Sequence, residues 1–388
     1  MKLSRRMHEI QPFFAMDILA RARELEQAGR DIVHMEIGEP DFPTPPLILE
    51  SAARSLKDGA IKYTPAAGLP QLRQAIAGHY RSRHGLDLDP RRIFLTPGAS
   101  GALMLALGVL VNPGDSVAMA DPGYPCYPNF VRLFDGLPLR VAVDAESGFN
   151  LTAGLLKAQG DQELAGVIVA SPANPTGSIL SPVALRDLVA GVMAREGFVI
   201  ADEIYHGLEY GAPAATALTC SDQVFVINSF SKYFGMTGWR LGWAVVPNWA
   251  IDAAERLAQN LFISAPTLSQ LAALAAFEPA NLEELERRRH IFTERRNLLC
   301  AGLQGLGFRL HARPEGAFYV YADASQVTSD SRTFALDLLQ EAGVAVTPGL
   351  DFGVNQTERY LRFCYTASAE RLGEGLTRLQ RFIARRSA

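Results

Sequence analysis

VFVINSFSKYFGMTGWRLGWAVV spans residues 224–246. It begins and ends in short apolar, β-branched runs, VFVIN (224–228) and GWAVV (242–246), of the length and composition of buried strands. Between them, serines, glycines and aromatics surround one lysine, Lys232, and Arg240 follows eight residues later. A surface lysine needs no such setting. A lysine becomes a nucleophile toward carbonyls when burial or a neighbouring cation lowers its pKa.

The same rhythm recurs upstream. RIFLT (92–96), SVAMA (116–120), GVIVA (166–170) and FVIA (198–201) each end in a polar or Gly/Pro cluster, and a helix-like segment follows. Strands alternating with helices predict an α/β fold with a mostly parallel sheet covered on both faces. Such sheets bind ligands beyond the carboxyl ends of their strands. The clusters PGAS, DPGYP, SPANPTG, DEIY and SFSK are therefore expected to converge on one edge.

The last third reads differently. Residues 282–305 form a charged helical stretch, whose arginines read as a solvated face with glutamates at helical spacing. GAFYVYADA (316–324), RTFALDLLQEAG (332–343), VAVTPG (344–349) and YLRFCYTAS (360–368) follow as strand, helix, strand and strand, the pattern of a separate α+β domain. Near the start, AMDILARARELEQAG is a helix closed by Gly29. The expected division is a large domain over 46–278 and a smaller α+β domain built from both termini, 1–45 and 279–388.

Composition excludes several classes. The 388 residues are 48% apolar and 20% charged, ordinary for a soluble globular protein of one large or two medium domains. A net charge of −4 leaves no basic footprint for nucleic acid. The longest apolar run, 101–111, is too short to cross a bilayer, and the first residues lack the apolar core of a secretory signal. Cys126, Cys220, Cys300 and Cys364 show no metal-ligand or CxxC spacing, which reads as free thiols in a reducing cytoplasm and no metal. The sequon at Asn355 is read as coincidence in a protein without a signal peptide.

Each cluster taken alone has an ordinary reading beside a chemical one. TPGASGALMLAL (96–107) opens directly into a helix, so Ala99 and Ser100 are either part of a plain glycine turn or a ready anion site. Asp202 caps a turn, or pairs with a buried cation or protonated ring nitrogen. Asn174 forms an Asx-turn or presents its amide inward. Tyr124 packs at a rim or offers a stacking platform. Taken together with Lys232, they match what pyridoxal 5′-phosphate (PLP) requires: an amine for its aldehyde, an acid against its pyridinium nitrogen and a cradle for its phosphate.

The motifs IGEPDFPTP (37–45), KYTPAAGLPQLRQAIA (62–77), NPTG (174–177), ADEIY (201–205) and SFSKYFGMTGWRLGW (229–243), in this order, resemble the class I/II aminotransferases of PLP fold type I. The resemblance covers nearly the whole chain. It implies that Lys232 anchors the cofactor covalently and carries the substrate's Cα proton. It implies further that Asp202 faces the ring nitrogen, that Tyr205 and Asn174 bond the phenolic oxygen, and that Tyr124 stacks on the ring. The phosphate would sit on the backbone of Ala99 and Ser100, on Ser229, Ser231 and Arg240, and on Tyr63 from the second subunit of a homodimer. Arg362, Asn174 and the Gly38 backbone would take the substrate carboxylate, Arg362 through its planar guanidinium, whose alternative is a strand-end salt bridge. The substrates implied are an amino acid and a 2-oxo acid.

A PLP-dependent lyase cleaving a β C–S bond would use the same lysine. A PLP-binding regulator would carry an N-terminal DNA-binding arm, and the stretch before IGEPDF is too short for one. A dehydrogenase would show a dinucleotide fingerprint, which is lacking. No arginine announces itself for a second substrate carboxylate. HEIQPFFAMD (8–17) is apolar and aromatic and is expected over the active site, so the donor expected is neutral, apolar or aromatic.

Overall fold

The Phe225–Ser229 strand pairs in parallel with Phe198–Asp202 on one side and antiparallel with Gly242–Val245 on the other. The Lys232 segment is the turn that joins those last two strands. In the computed structural model, which describes residues 2–10, 12–59, 61–160 and 163–386, these strands belong to a seven-stranded sheet. Its order is Ile93–Thr96, Gly242–Val245, Phe225–Ser229, Phe198–Asp202, Gly166–Ala170, Ser116–Asp121, Leu137–Ala142. Neighbours run parallel except in the two pairs made by Gly242–Val245.

Side chains alternate across this sheet into two cores. Val167, Val169, Val199, Ala201 and Val226 enter one, while Ile168, Ile200 and Ile227 enter the other. Burial on both faces is why these strands read as unbroken apolar runs. The sequence reading missed Leu137–Ala142. That strand lies at the sheet's edge, holds Pro138 and Arg140, and is largely open to solvent, so it carries little apolar signal.

A second, three-stranded antiparallel sheet joins Thr347–Pro348, Tyr360–Cys364 and Tyr319–Asp323. Val33–His34 pairs in parallel with Val344–Ala345, so the two ends of the chain meet. VAVTPG is therefore not one strand but two short ones in different sheets. The expected helix over 332–343 is α-helical for Ser331–Asp337 and changes to a π-helix over Leu338–Ala342. The N-terminal helix runs Phe14–Gln27.

The arginine-rich helix, Pro279–Gly305, departs from expectation. Arg287 is exposed and paired with Glu284, but Arg288, Arg295 and Arg296 are buried. Their guanidiniums find Glu284, Asp41 and the Pro314 carbonyl. Arg288 and Arg295 also lie over the Phe42 ring. A guanidinium tolerates burial when carbonyl, carboxylate and aromatic partners replace its water. Among the described residues no helix is long and apolar enough to cross a membrane, and no cluster of His, Cys, Asp or Glu suits a metal ion. All four cysteines are free.

Candidate active site

Lys232 lies just past the Phe225–Ser229 strand, at the carboxyl edge of the sheet. Its Nζ donates to the Gly38 carbonyl at 2.7 Å and stands 5.6 Å from the Phe318 ring centre and 6.0 Å from that of Tyr205. Burial pushes this amine down to about 8, helped by Arg362 and Arg240 and opposed by Glu39. An amine with that pKa is partly free base near neutrality, the state a nucleophile or base requires.

Asp202 ends the neighbouring strand and is buried. Loss of water pushes its carboxyl up to about 6, against the hydrogen bonds that favour the ionised form. Those bonds come from the Tyr127 hydroxyl, 2.5 Å from Oδ2, and from the Ile204 amide, 3.2 Å from Oδ1. Its hydrogen bonds come from neutral donors and Lys232 pulls on it only weakly, and a buried carboxylate so placed gains by pairing with a protonated ring nitrogen. Tyr124 packs edge-to-face on Tyr127, ring centres 5.2 Å apart. The Tyr205 and Tyr319 hydroxyls lie 2.8 Å apart, and Tyr319 is so close to Gly38 that a Cβ there would collide with its hydroxyl.

At the same edge, the helix Gly98–Leu110 begins against the returning strand. Gly98 holds φ +71°, and a Cβ on it would stand 2.6 Å from Arg240 Nη2. A Cβ on Gly242 would stand 2.7–2.8 Å from the Gly98–Ala99 peptide. Only glycine allows these approaches, and they bring Arg240 and the strand pair Ser229–Gly242 up to the helix N-terminus. The Ser229 hydroxyl accepts the Ser231 amide at 3.0 Å. A guanidinium, hydroxyls and a helix N-terminus form a seat for a phosphate.

Arg362, 2% exposed, projects from the middle strand of the smaller sheet. Its Nη1 donates to Asn174 Oδ1 at 2.9 Å, and its Nη2 donates to Thr347 Oγ1 at 3.2 Å and to the Glu36 carbonyl. The guanidinium lies 4.5 Å from the Tyr319 ring centre and 4.8 Å from that of Phe352, and its buried Nε has no hydrogen-bond partner among the described residues. A guanidinium held in a fixed plane in this way can bind a carboxylate bidentately.

Lys232, Gly38, Tyr124, Asn174, Tyr205 and Arg362 line one cavity of about 190 Å³. Phe13, Ala15 and Met16 also line it, as expected of the apolar N-terminal segment, within which Gln11 lies outside the described residues. Tyr63 does not line it and is 81% exposed. Sequence reasoning missed Tyr127, Tyr319, Ile37, Ile204 and Thr237. The tyrosines stand in alternating or helical apolar patterns that look like any core, and no local signal separates them.

A family model described as "Aminotransferase class I and II" matches residues 30–379. The chain belongs to this family. A valine–pyruvate aminotransferase of Mycobacterium tuberculosis is 39% identical over 372 residues, covering 95% of this chain and 96% of the relative. An aspartate/prephenate aminotransferase of Thermus thermophilus is 34% identical, covering 99% of each. The crystal structure of an aminotransferase from Mycobacterium tuberculosis superposes with a TM-score of 0.96 at 38% identity over 99% of both chains. This aminotransferase is a PLP-dependent transaminase. Its residues fit the cofactor: a lowered amine, a buried acid hydrogen-bonded only by neutral donors, and a glycine-lined helix start beside an arginine and serines lie along one sheet edge.

Proposed function

We propose that this aminotransferase moves the amino group of a neutral apolar or aromatic L-amino acid to pyruvate or 2-oxoglutarate. The observation that carries the reading is the cavity lining. Phe13, Met16, Ile37 and Ile204 give it an apolar side, and among the described residues that line it Lys232 and Arg362 are the only cations. Both have other tasks, so a second substrate carboxylate would meet no counter-charge, while Glu39 would repel it.

Lys232 is the covalent anchor and the proton carrier. Its amine takes the proton from the substrate's Cα and returns one later in the cycle. Asp202, oriented by Tyr127, would keep the cofactor's ring nitrogen protonated. Asn174 and Tyr205 would hold the phenolic oxygen, and Tyr124 would cover the ring. Ala99, Ser100, Ser229, Ser231 and Arg240 would hold the phosphate. Arg362, Asn174 and Gly38 orient the α-carboxylate, which aims the Cα–H bond at Lys232. Bound PLP supplies an electron sink for the charge left on Cα.

The active form in this reading is a homodimer in which Tyr63 reaches the partner's phosphate, and the cytoplasm is its place of work. The chain divides at residues 45 and 278 into large and small domains.

A donor panel followed by half-reaction absorbance tests the specificity. Alanine, valine, leucine, methionine and phenylalanine should exceed aspartate in kcat/KM. An aspartate preference of orders of magnitude refutes the proposed donor class.

A further inference from the structure

The helix Phe14–Gln27 opens with no side chain of its own capping it. Its first amides are nonetheless satisfied. Phe14 N–H donates to Asp351 Oδ1 at 2.8 Å, and Ala15 N–H donates to Asp351 Oδ2 at 3.2 Å. The cap arrives from more than 330 positions along the chain. Asp351 closes the short turn Gly349–Asp351 and is 7% exposed. An anion there also meets the positive end of the helix.

The capped end is the part of the helix that matters for substrate. Phe13, Ala15 and Met16 line the Lys232 cavity, and Phe13 stands edge-on to Tyr124 with ring centres 6.3 Å apart. The next residue after Asp351 is Phe352, whose ring lies 4.8 Å from the Arg362 guanidinium. One turn of chain thus grips the apolar wall with a carboxylate and packs against the carboxylate-binding arginine with a phenyl ring. The Arg332 guanidinium also lies 4.8 Å from the Phe14 ring centre, and Asp351 supplies the side-chain hydrogen bonds to this end of the helix.

We propose that Asp351 is a positioning residue for donor specificity. It latches the Phe13–Met16 segment across the cavity in register with Arg362, and so sets the apolar wall against which the donor's side chain packs. This rests on the neutral, apolar donor reading given above. Asp351 does not line the cavity, so it acts through that segment and not by touching substrate. Large donors depend on the wall, and alanine hardly reaches it.

The test compares wild type with Asp351→Ala and Asp351→Asn as holoenzymes, by donor kinetics and by amide hydrogen exchange. Loss of a helix cap corresponds to about a tenfold change. Asp351→Ala should therefore lose about tenfold in kcat/KM for phenylalanine and leucine, mostly through KM, with a much smaller loss for alanine. Amides of Phe14 and Ala15 should exchange about tenfold faster. Asp351→Asn keeps one acceptor and should fall between, which gives a second readout if the alanine variant folds poorly. Equal losses for alanine and phenylalanine in both variants overturn the specificity role, and unchanged exchange at Phe14 and Ala15 overturns the latch. A wild-type preference for aspartate refutes the donor reading instead, and exchange still decides the latch.

Discussion

Replacing Arg362 by methionine removes the charge and keeps much of the stem. Arg362 is 2% exposed and stacked between Tyr319 and Phe352, so water cannot take its place at little cost. A charge pair desolvated to this degree loses about 2–5 kcal/mol when one member is removed, roughly 30- to 5,000-fold in kcat/KM. The loss should fall on substrates that carry an α-carboxylate. The half-reaction with L-phenylalanine therefore drops within that range. The same reaction with 1-phenylethylamine, which has the ring but no carboxylate, changes by a few-fold at most. Stopped-flow absorbance of the bound cofactor reports both rates on one enzyme preparation. The comparison also absorbs any general damage from freeing Asn174, Thr347 and the Glu36 carbonyl, which bond Arg362 now. Equal losses for the amine and the amino acid would refute the carboxylate role and leave Arg362 a structural cation.

Lys232 should react as an amine with a pKa near 8. Because the pKa is lowered, the free base appears as pH rises through about 8, well before an ordinary lysine. In the apoprotein, the rate of PLP incorporation should be half-maximal there, and borohydride should fix the label to the peptide containing Lys232. A midpoint near the ordinary lysine value, or label elsewhere, contradicts the assignment. Tyr127→Phe removes a donor that favours ionised Asp202, so the Asp202 carboxyl should rise further above about 6 and hold the ring nitrogen's proton less well. An affinity loss for PLP of about tenfold, read by fluorescence titration, follows from one charge-assisted hydrogen bond; unchanged affinity and turnover would remove Tyr127 from the site. Tyr63→Phe should weaken cofactor retention with subunit association unchanged by light scattering, and a fully active monomer would refute Tyr63's role across the interface.

The residues proposed for this site stand out in the sequence where they break the pattern of their element. Lys232 among glycines and serines, Asp202 at the end of an apolar run and Asn174 between prolines each break the pattern of the element they belong to. The parallel sheet was legible because burial on both faces demands continuous β-branched runs such as Val167–Val169 and Val226–Ile227. The edge strand Leu137–Ala142 was not, since solvent on its sides relaxes that demand. The buried arginines of Pro279–Gly305 misled for a related reason. Arg288 keeps Glu284 at helical spacing, but the partners that bury these arginines, Asp41, Phe42 and Pro314, lie outside the helix, and helical spacing reports only neighbours.

Local sequence alone determined the helix starts and the strand-and-loop rhythm and singled out the residues proposed as reactive, because each is set by backbone preference and burial within a few residues. The tertiary structure decided their partnerships. Only folding brings the Tyr127 hydroxyl to Asp202, Tyr319 to Tyr205, and Asp351 to the amides of a helix at the opposite end of the chain. Hydrogen bonds and desolvation act over a few ångströms of space whatever the separation along the chain, so the pKa values of Lys232 and Asp202 and the wall that meets the substrate exist only in the folded molecule.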